Sequence, residues 1–232
     1  MDDVAREVTD LTQGRSGQLR VGAGPGSGEH LLATACSVLL KDSPKVTLTV
    51  TVATPGVLVP VLRNGELDLI VTGIPMSHHE ELVQERLCDD EFIVYASVNH
   101  RLAKLKQVTL TDLAQERWVM SATSAVAPQW LHRAFHDGGL PSPRVVMQTT
   151  SIKIRHHLVA SCEVVGLSTR EVVRQGAPRY RFAELRVKGL TYSRSLDVSY
   201  RKDAYLPPAA RRLIELLKTT AKEIANEARS KV

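Results

Sequence analysis

Apolar and polar residues recur along this chain with two periods, and the switches between them outline a fold. Residues 17–71 read as a strand (Gln18-Leu19-Arg20-Val21), a Gly/Pro/Ser turn over residues 22–28, and a helix over residues 29–40 that contains His30-Leu31-Leu32-Ala33-Thr34-Ala35. A second strand over residues 45–52 follows, then a turn at Thr54-Pro55-Gly56 and a helix ending in Arg63-Asn64-Gly65-Glu66. An almost wholly apolar strand, Leu67-Asp68-Leu69-Ile70-Val71, completes the stretch. Strands alternating with helices at this pace imply a parallel sheet covered by helices. Ligands of such sheets sit where strand ends meet helix starts, so the turns are the first place to seek a site.

Downstream, Phe92-Ile93-Val94-Tyr95-Ala96-Ser97-Val98 has the β-branched and aromatic composition of a buried strand and reads as a crossover. A short helix is expected over residues 111–115 with Thr111 as its cap, then a strand over 118–120, the turn Ser121-Ala122-Thr123-Ser124, and a helix over 128–137 stopped by Gly138-Gly139. Strands over 144–148 and 164–168, with a helix over 152–161 between them, make a second parallel unit, and residues 196–201 return the chain. Pro207-Pro208 pre-sets a last helix, in which Leu213, Ile214, Leu216, Leu217, Ala221, Ile224 and Ala225 form one apolar stripe. Near the N-terminus, Val4, Val8 and Leu11 form a short helical stripe that Gly14-Arg15-Ser16-Gly17 ends.

The order of these segments, more than their period, resembles the effector-binding domain of LysR-type bacterial transcriptional regulators over roughly residues 17–220. The resemblance is carried by Gly17-x-Leu19-Arg20-Val21-Gly22, by Pro44-Lys45-Val46-Thr47-Leu48, and by Leu62-Arg63-Asn64-Gly65-Glu66-Leu67-Asp68-Leu69. Asn99-His100-Arg101-Leu102-Ala103 and Val108-Thr109-Leu110-Thr111-Asp112-Leu113-Ala114 before Trp118-Val119-Met120 extend it, as does the run from Tyr200 through Pro207-Pro208 to Arg211. It implies an α/β fold of two Rossmann-like lobes joined by two crossover strands, the type 2 periplasmic-binding-protein fold. Lobe I is then residues 17–93 plus 196–232 and lobe II is 94–195, with 1–16 as the end of a linker helix. The winged helix-turn-helix that precedes such a domain is absent from this chain, which is expected to be a shortened form or a stand-alone relative.

Composition excludes several classes. With 232 residues and 43% hydrophobic content, the chain can bury a substantial core. No run approaches the roughly 18 apolar residues of a membrane span, and Met1-Asp2-Asp3-Val4-Ala5-Arg6-Glu7 is too charged for a signal peptide, so a cytoplasmic location with no membrane partner is expected. Cys36, Cys88 and Cys162 are odd in number and far apart, which fits reduced thiols. The net charge of +5 is dispersed, and with 4% aromatic residues there is little for base stacking. The densest basic run, over residues 170–188, holds Glu171 and Glu184 among its arginines and reads as a solvated face. DNA is thus expected to be reached only through the absent N-terminal domain.

Catalytic and cofactor motifs fail on spacing. Counting G-x-G-x-x-G from Gly22 puts Ser27 at the third glycine, and counting from Gly24 puts Glu29 there; no Gly-Lys-Ser/Thr follows. Pro25 and Glu29 break Gly-x-Ser-x-Gly around Ser27. His132 and His136 have a zinc-compatible i, i+4 spacing, but Arg133 stands where His-Glu-x-x-His has Glu, and the adjacent pairs His78-His79 and His156-His157 diverge. No cofactor, metal or catalytic residue is expected. An enzyme on this fold and a stand-alone solute-binding receptor are the rival readings; the first lacks a nucleophile, the second an export signal.

What remains is the turns. A strand-to-helix turn offers free N–H groups and the positive end of a helix dipole, a ready anion site, although a bare helix cap is the simpler reading from residues alone. The resemblance makes these turns the walls of an effector cleft. It implies Gly26, Ser27, Thr54, Pro55, Thr72 and Gly73 from the first lobe and Ser121, Thr123 and Ser124 from the second as ligand contacts. Gly26 stands where relatives often carry Ser or Thr. Ser161-Cys162-Glu163-Val164-Val165-Gly166 departs from their usual Gly-x-Gly, so no contact is carried onto Cys162 or Glu163. Arg170 is read as a surface residue, with a ligand carboxylate as the sharper alternative. The effector is expected to be a small anion, by preference a carboxylate, and the chain a homodimer or tetramer pairing the helix over 29–40 antiparallel with the partner's helix over 128–137.

Overall fold

The computed structural model describes residues 17–73, 80–122 and 126–230, apart from the side chains of Ser27, Val126 and residues 227–230. The chain divides into two compact units: unit 1 runs to Asp89 and resumes at Ser195, and unit 2 is Asp90–Arg194. The stripe of Val4, Val8 and Leu11 lies outside the described residues.

Unit 1 is built from β1 (Gln18–Ala23), α1 (Ser27–Asp42), β2 (Thr47–Val52), α2 (Pro55–Arg63), β3 (Leu69–Thr72) and the first half of β4 (Leu82–Ser97). After unit 2, β9 (Tyr192–Arg201) returns to it and α7 (Pro208–Ser230) ends it. β1 lies between β2 and β3, parallel to both, with Gln18 opposite Thr47 and Val21 opposite Leu69. β9 runs antiparallel to β3, with Ile70 opposite Ser199. Alternation assigns the two faces. Leu19, Val21, Leu69, Val71, Leu196 and Val198 meet Leu31, Leu32, Ala35 and Leu39 of α1 and Leu213, Ile214, Leu217 and Ala221 of α7 in one core. Ile70 joins Leu58, Val59 and Leu62 of α2 on the other face. Cys36 is buried in the first core, and burial pushes its thiol up to about 11, which leaves it unreactive at neutral pH.

In unit 2, β5 (Arg117–Ser121) is flanked in parallel by β6 (Arg144–Thr149) and β7 (Val165–Thr169), and β4 runs antiparallel to β7 and to β8 (Phe182–Leu185). Its helices are α3 (Leu110–Ala114), α4 (Val126–Asp137), α5 (Ile152–Ser161) and α6 (Arg170–Gly176). Trp118, Leu131 and Phe135 centre one core, and Tyr95, Val119 and Val159 lie in a second. Gly139 ends α4 at φ 65°, and Leu140 N–H donates to Phe135 O at 2.9 Å, the left-handed stop that the glycine pair predicts.

Two expectations need correction. The short helix starts one residue earlier than 111, and its cap is Thr109, not Thr111. Thr109 Oγ1 accepts from Asp112 N–H at 3.2 Å while Asp112 Oδ2 accepts from Thr109 N–H at 2.9 Å, a reciprocal capping box that only a residue three before an acid can close. The crossover strand does not begin at Phe92; β4 starts at Leu82 and carries Gln84, Glu85, Arg86, Asp89, Asp90 and Glu91 within its span. Its carboxylates meet bases from elsewhere: Glu85 accepts from Tyr200 Oη at 2.9 Å and pairs with Lys218, and Asp90 pairs with Arg194. Arg170 lies on the surface as expected, its side chain 46% exposed, and bridges Glu91 and Glu184, with Nε to Glu184 Oε2 at 3.0 Å. β8 and α6 had no counterpart in the sequence pattern.

Candidate functional site

At the carboxyl edge of the unit 1 sheet, three strand exits come together because β1, β2 and β3 end in register. Ala23 is opposite both Val52 and Val71, so the residues that follow each strand emerge side by side. Gly24 N–H donates to Val71 O at 2.8 Å and Ala53 N–H to Ala23 O at 3.1 Å, which ties the three exits to one another. From this edge the chain enters α1 through Gly26 and α2 through Thr54.

Each exit has its own requirement. A Cβ on Gly24 would stand 2.6 Å from Thr72 Oγ1, so only glycine lets the turn lie against that threonine. Gly26 caps α1 at φ 86°, a conformation closed to a Ser or Thr at that place without strain. This explains the departure from the expected hydroxyl. Thr54 sits in extended conformation before Pro55, the first residue of α2, and its side chain makes no capping hydrogen bond. Pro55 has no N–H, and the Glu29 and Val57 N–H groups are bonded to Gly24 O and Thr54 O, so the donors at the two helix starts are those of Ser27, Gly28 and Gly56; both helix dipoles point their positive ends here.

Gly26, Thr54, Pro55, Thr72 and Gly73 are therefore brought to one edge, and Ser27 opens α1 beside them. Thr72 is buried, while Thr54, Pro55 and Gly73 are half-buried. In unit 2, Ser121 ends β5 in the equivalent strand-to-helix position, half-buried, with Ala122 N–H bonded to Thr149 O at 3.1 Å. Thr123 and Ser124 lie outside the described residues.

The sequence reading missed Asp197. On β9 it is the register partner of Thr72, on the same sheet face, 5% exposed, and it accepts from Ser195 Oγ at 2.8 Å. Burial raises its carboxyl above the ordinary range, against the Ser195 hydrogen bond and the charge of Arg86, with Asp89 adding to the rise. The available signal was the alternation Leu196, Asp197, Val198, Ser199, which puts a carboxylate on a strand whose other face is core. Among the described residues, no three His, Cys, Asp or Glu side chains are grouped so as to hold a metal ion, and no helix is long and apolar enough to cross a membrane.

Two α/β units of one plan, each with strand-to-helix turns at its sheet edge, define a ligand-binding module of the type 2 periplasmic-binding-protein fold. The family profile described as LysR substrate binding domain matches residues 12–222, and the chain belongs to that family, whose members are transcriptional regulators and not enzymes. It is 21% identical over 97% of its length to a probable RuBisCO transcriptional regulator from Phaeodactylum tricornutum, of which it covers 75%. It is 23% identical over 95% of its length to the HTH-type transcriptional regulator GbpR from Azospirillum brasilense, of which it covers 65%. The CcmR regulatory domain from Synechocystis PCC6803, solved in complex with 2-PG, superposes with a TM-score of 0.77 at 17% identity, covering 89% of this chain and 98% of that one. The effector-binding domain of QuiR in complex with shikimate gives 0.72 at 18% identity, with the same two coverages of 89% and 98%.

Proposed function

We propose that this chain is the ligand-sensing part of a cytoplasmic LysR-type transcriptional regulator and that it binds a small anionic metabolite, a carboxylate in the first instance. The observation that carries this reading is the unit 1 edge, where the starts of α1 and α2 meet beside Thr72 and the Thr54 hydroxyl is not used for capping. An anionic oxygen is stabilised at such a place by helix N–H groups and dipoles. Asp197 adds an acceptor beside Thr72, which suits a ligand that also carries a hydroxyl. The QuiR domain's ligand, shikimate, is a carboxylate, which supports the class. Gly26, Ser27, Thr54, Pro55, Thr72 and Gly73 are the proposed contacts in unit 1, and Ser121, Thr123 and Ser124 those in unit 2. Binding changes DNA affinity in the whole protein only if the ligand favours one arrangement of the regulator over another.

Native mass spectrometry of the freshly purified chain, with shikimate and 2-PG as added probes, identifies a ligand for calorimetry. Thr54→Ala is expected to weaken its binding about tenfold or more, since a hydrogen bond to a charged group is worth roughly 1.5–3 kcal/mol and tenfold corresponds to about 1.4. The melting curve should stay near that of the parent because no cap is lost. Equal affinity for the parent, Thr54→Ala and Ser121→Ala would leave these turns as structural reversals and sink the assignment.

The proposal includes a homodimer, or a tetramer built from it, in which α1 pairs antiparallel with the partner's α4. α1 exposes Val38 (36%) and Leu40 (44%), apolar residues available for such a pairing. Sedimentation at tens of micromolar is expected to show a dimer that Leu40→Asp converts to monomer. A parent that sediments only as monomer at every concentration speaks against the pairing.

A further inference from the structure

One group of side chains inside unit 2 has a buried positive charge and spare hydrogen-bond donors, and among the described residues no carboxylate pairs with it. Arg155 and His156, from the buried side of α5, are each 4% exposed, and Tyr95 of β4 is fully buried. Arg155 Nε and Nη1, His156 Nε2 and the Tyr95 hydroxyl are all sealed from solvent, and apart from the contact between Arg155 and the Tyr95 hydroxyl they meet no hydrogen-bond partner. They lie together. The Tyr95 and His156 rings meet edge to face at 5.8 Å, and both pack on Phe182, at 5.1 and 5.0 Å. Arg155 stands close enough for its charge to act on both rings.

Five carboxylates of unit 2 are paired elsewhere. Asp90 pairs with Arg194, Glu91 and Glu184 with Arg170, Glu116 with Arg101, and Glu171 with Arg174. Among the described residues none pairs with Arg155. A guanidinium has donors only and stays charged, and a buried charge normally persists only when paired. Burial pushes the Tyr95 hydroxyl up to about 12, against the charge and the hydrogen bond of Arg155, so it keeps its proton and can donate. Burial, and secondarily Arg155, pushes His156 down to about 4, so the ring is neutral at pH 7 and donates one N–H. With Nε2 protonated, Arg155, Tyr95 and His156 can each donate to one acceptor.

This donor set selects its ligand. A cation is repelled by Arg155. A water molecule can bond to these side chains, since the Tyr95 oxygen and the unprotonated His156 nitrogen accept, but it leaves the guanidinium charge uncompensated. An anion accepts from all of them and neutralises the guanidinium. Its size is limited by the packing: a single Cβ on Gly166 would lie 2.4 Å from the Tyr95 ring, and one on Gly176 2.5 Å from His156 Nδ1. We propose that Arg155, Tyr95 and His156 form an internal site for one small inorganic anion of the halide class, the counter-ion of Arg155 within unit 2. The site shares no residue with the turns assigned to the metabolite, so the two assignments stand or fall separately.

Crystals of the chain grown with sodium bromide are expected to show an anomalous bromine peak within hydrogen-bond reach of Arg155 and the Tyr95 hydroxyl. In solution, the melting temperature should rise with chloride or bromide concentration at fixed ionic strength, sodium gluconate making up the balance. Arg155→Met abolishes that dependence. Tyr95→Phe, which keeps the ring and removes one donor, raises the halide concentration needed for half the effect several-fold, and it decides the matter if Arg155→Met does not fold. A structure with water at this position and bromide only on the surface overturns the proposal, as does a halide dependence that neither variant changes.

Discussion

Replacing Trp118 by alanine is expected to destabilise unit 2 by about 3–5 kcal/mol, the range for truncating a fully buried large aromatic side chain. Trp118 is completely buried on β5, its ring meets Phe135 edge to face at 6.2 Å, and it is packed in one core with Leu102, Val108, Leu113, Met120, Leu131 and Val165. Two losses add. The cavity removes packing from strand and helix alike, and the indole N–H no longer reaches Leu113 O, which it bonds at 3.4 Å. Trp118→Phe restores most of the volume but not the donor, so it should cost roughly 1–2 kcal/mol, the range for one buried hydrogen bond with modest repacking. Urea denaturation followed by circular dichroism measures both. A shift below about 1 kcal/mol for Trp118→Ala would show that this core is not closed around the indole.

Most of unit 1 was legible because each of its early segments has one simple period. β1, β2 and β3 alternate or run apolar between Gly/Pro turns, and the stripe of α7 buries Leu213, Ile214, Leu217 and Ala221 as its spacing requires. In unit 2 the strands and helices of the β5–α4–β6–α5–β7 series were readable for the same reason. The helix geometry that separates adjacent residues also holds at α5, where His156 is buried and His157 exposed. What escaped has a common cause: stability supplied by partners distant in sequence. The first half of β4 is polar along its length and becomes a strand with Glu85 held by Tyr200 and Lys218, residues 115 and 133 positions away. Asp197 and Arg155 look like surface residues by type, and only register and burial show otherwise. Thr109 was within reach, since an acid three residues on distinguishes it from Thr111. At the candidate site, the sequence pointed to the turns, but the close approach of Gly24 to Thr72 is a property of the folded register.

Mild acid is expected to weaken unit 2 through His156. Burial holds this ring at about 4, below its ordinary value of 6.5, because the charged form would sit inside the protein beside Arg155. The groups around it are Arg155, the rings of Tyr95, Tyr180 and Phe182, and the backbone of Gly176; Arg155 supplies the charge. Since the folded state prefers the neutral imidazole, the stabilisation is fully present above about 6.5 and is lost as pH falls from there toward 4. A fall from 6.5 to about 4 corresponds to roughly 3–4 kcal/mol at about 1.4 kcal/mol per pH unit, of which about 2 is lost by pH 5. Other groups act elsewhere on the scale. Glu85 and Asp112, both lowered by their hydrogen-bond partners, lose their contribution only in the more acid carboxylate range, and Asp197, raised by burial, favours the folded state as it protonates. Urea midpoints at pH 7.5 and pH 5 in halide-free buffer should therefore fall for the parent and stay nearly level for His156→Gln. A bound anion offsets the charge on a protonated ring, so adding bromide should recover part of the parent's loss at pH 5. Equal acid losses in the parent and His156→Gln would mean that His156 is solvated in the folded chain, and both its depressed titration and its place among the buried donors would then be wrong.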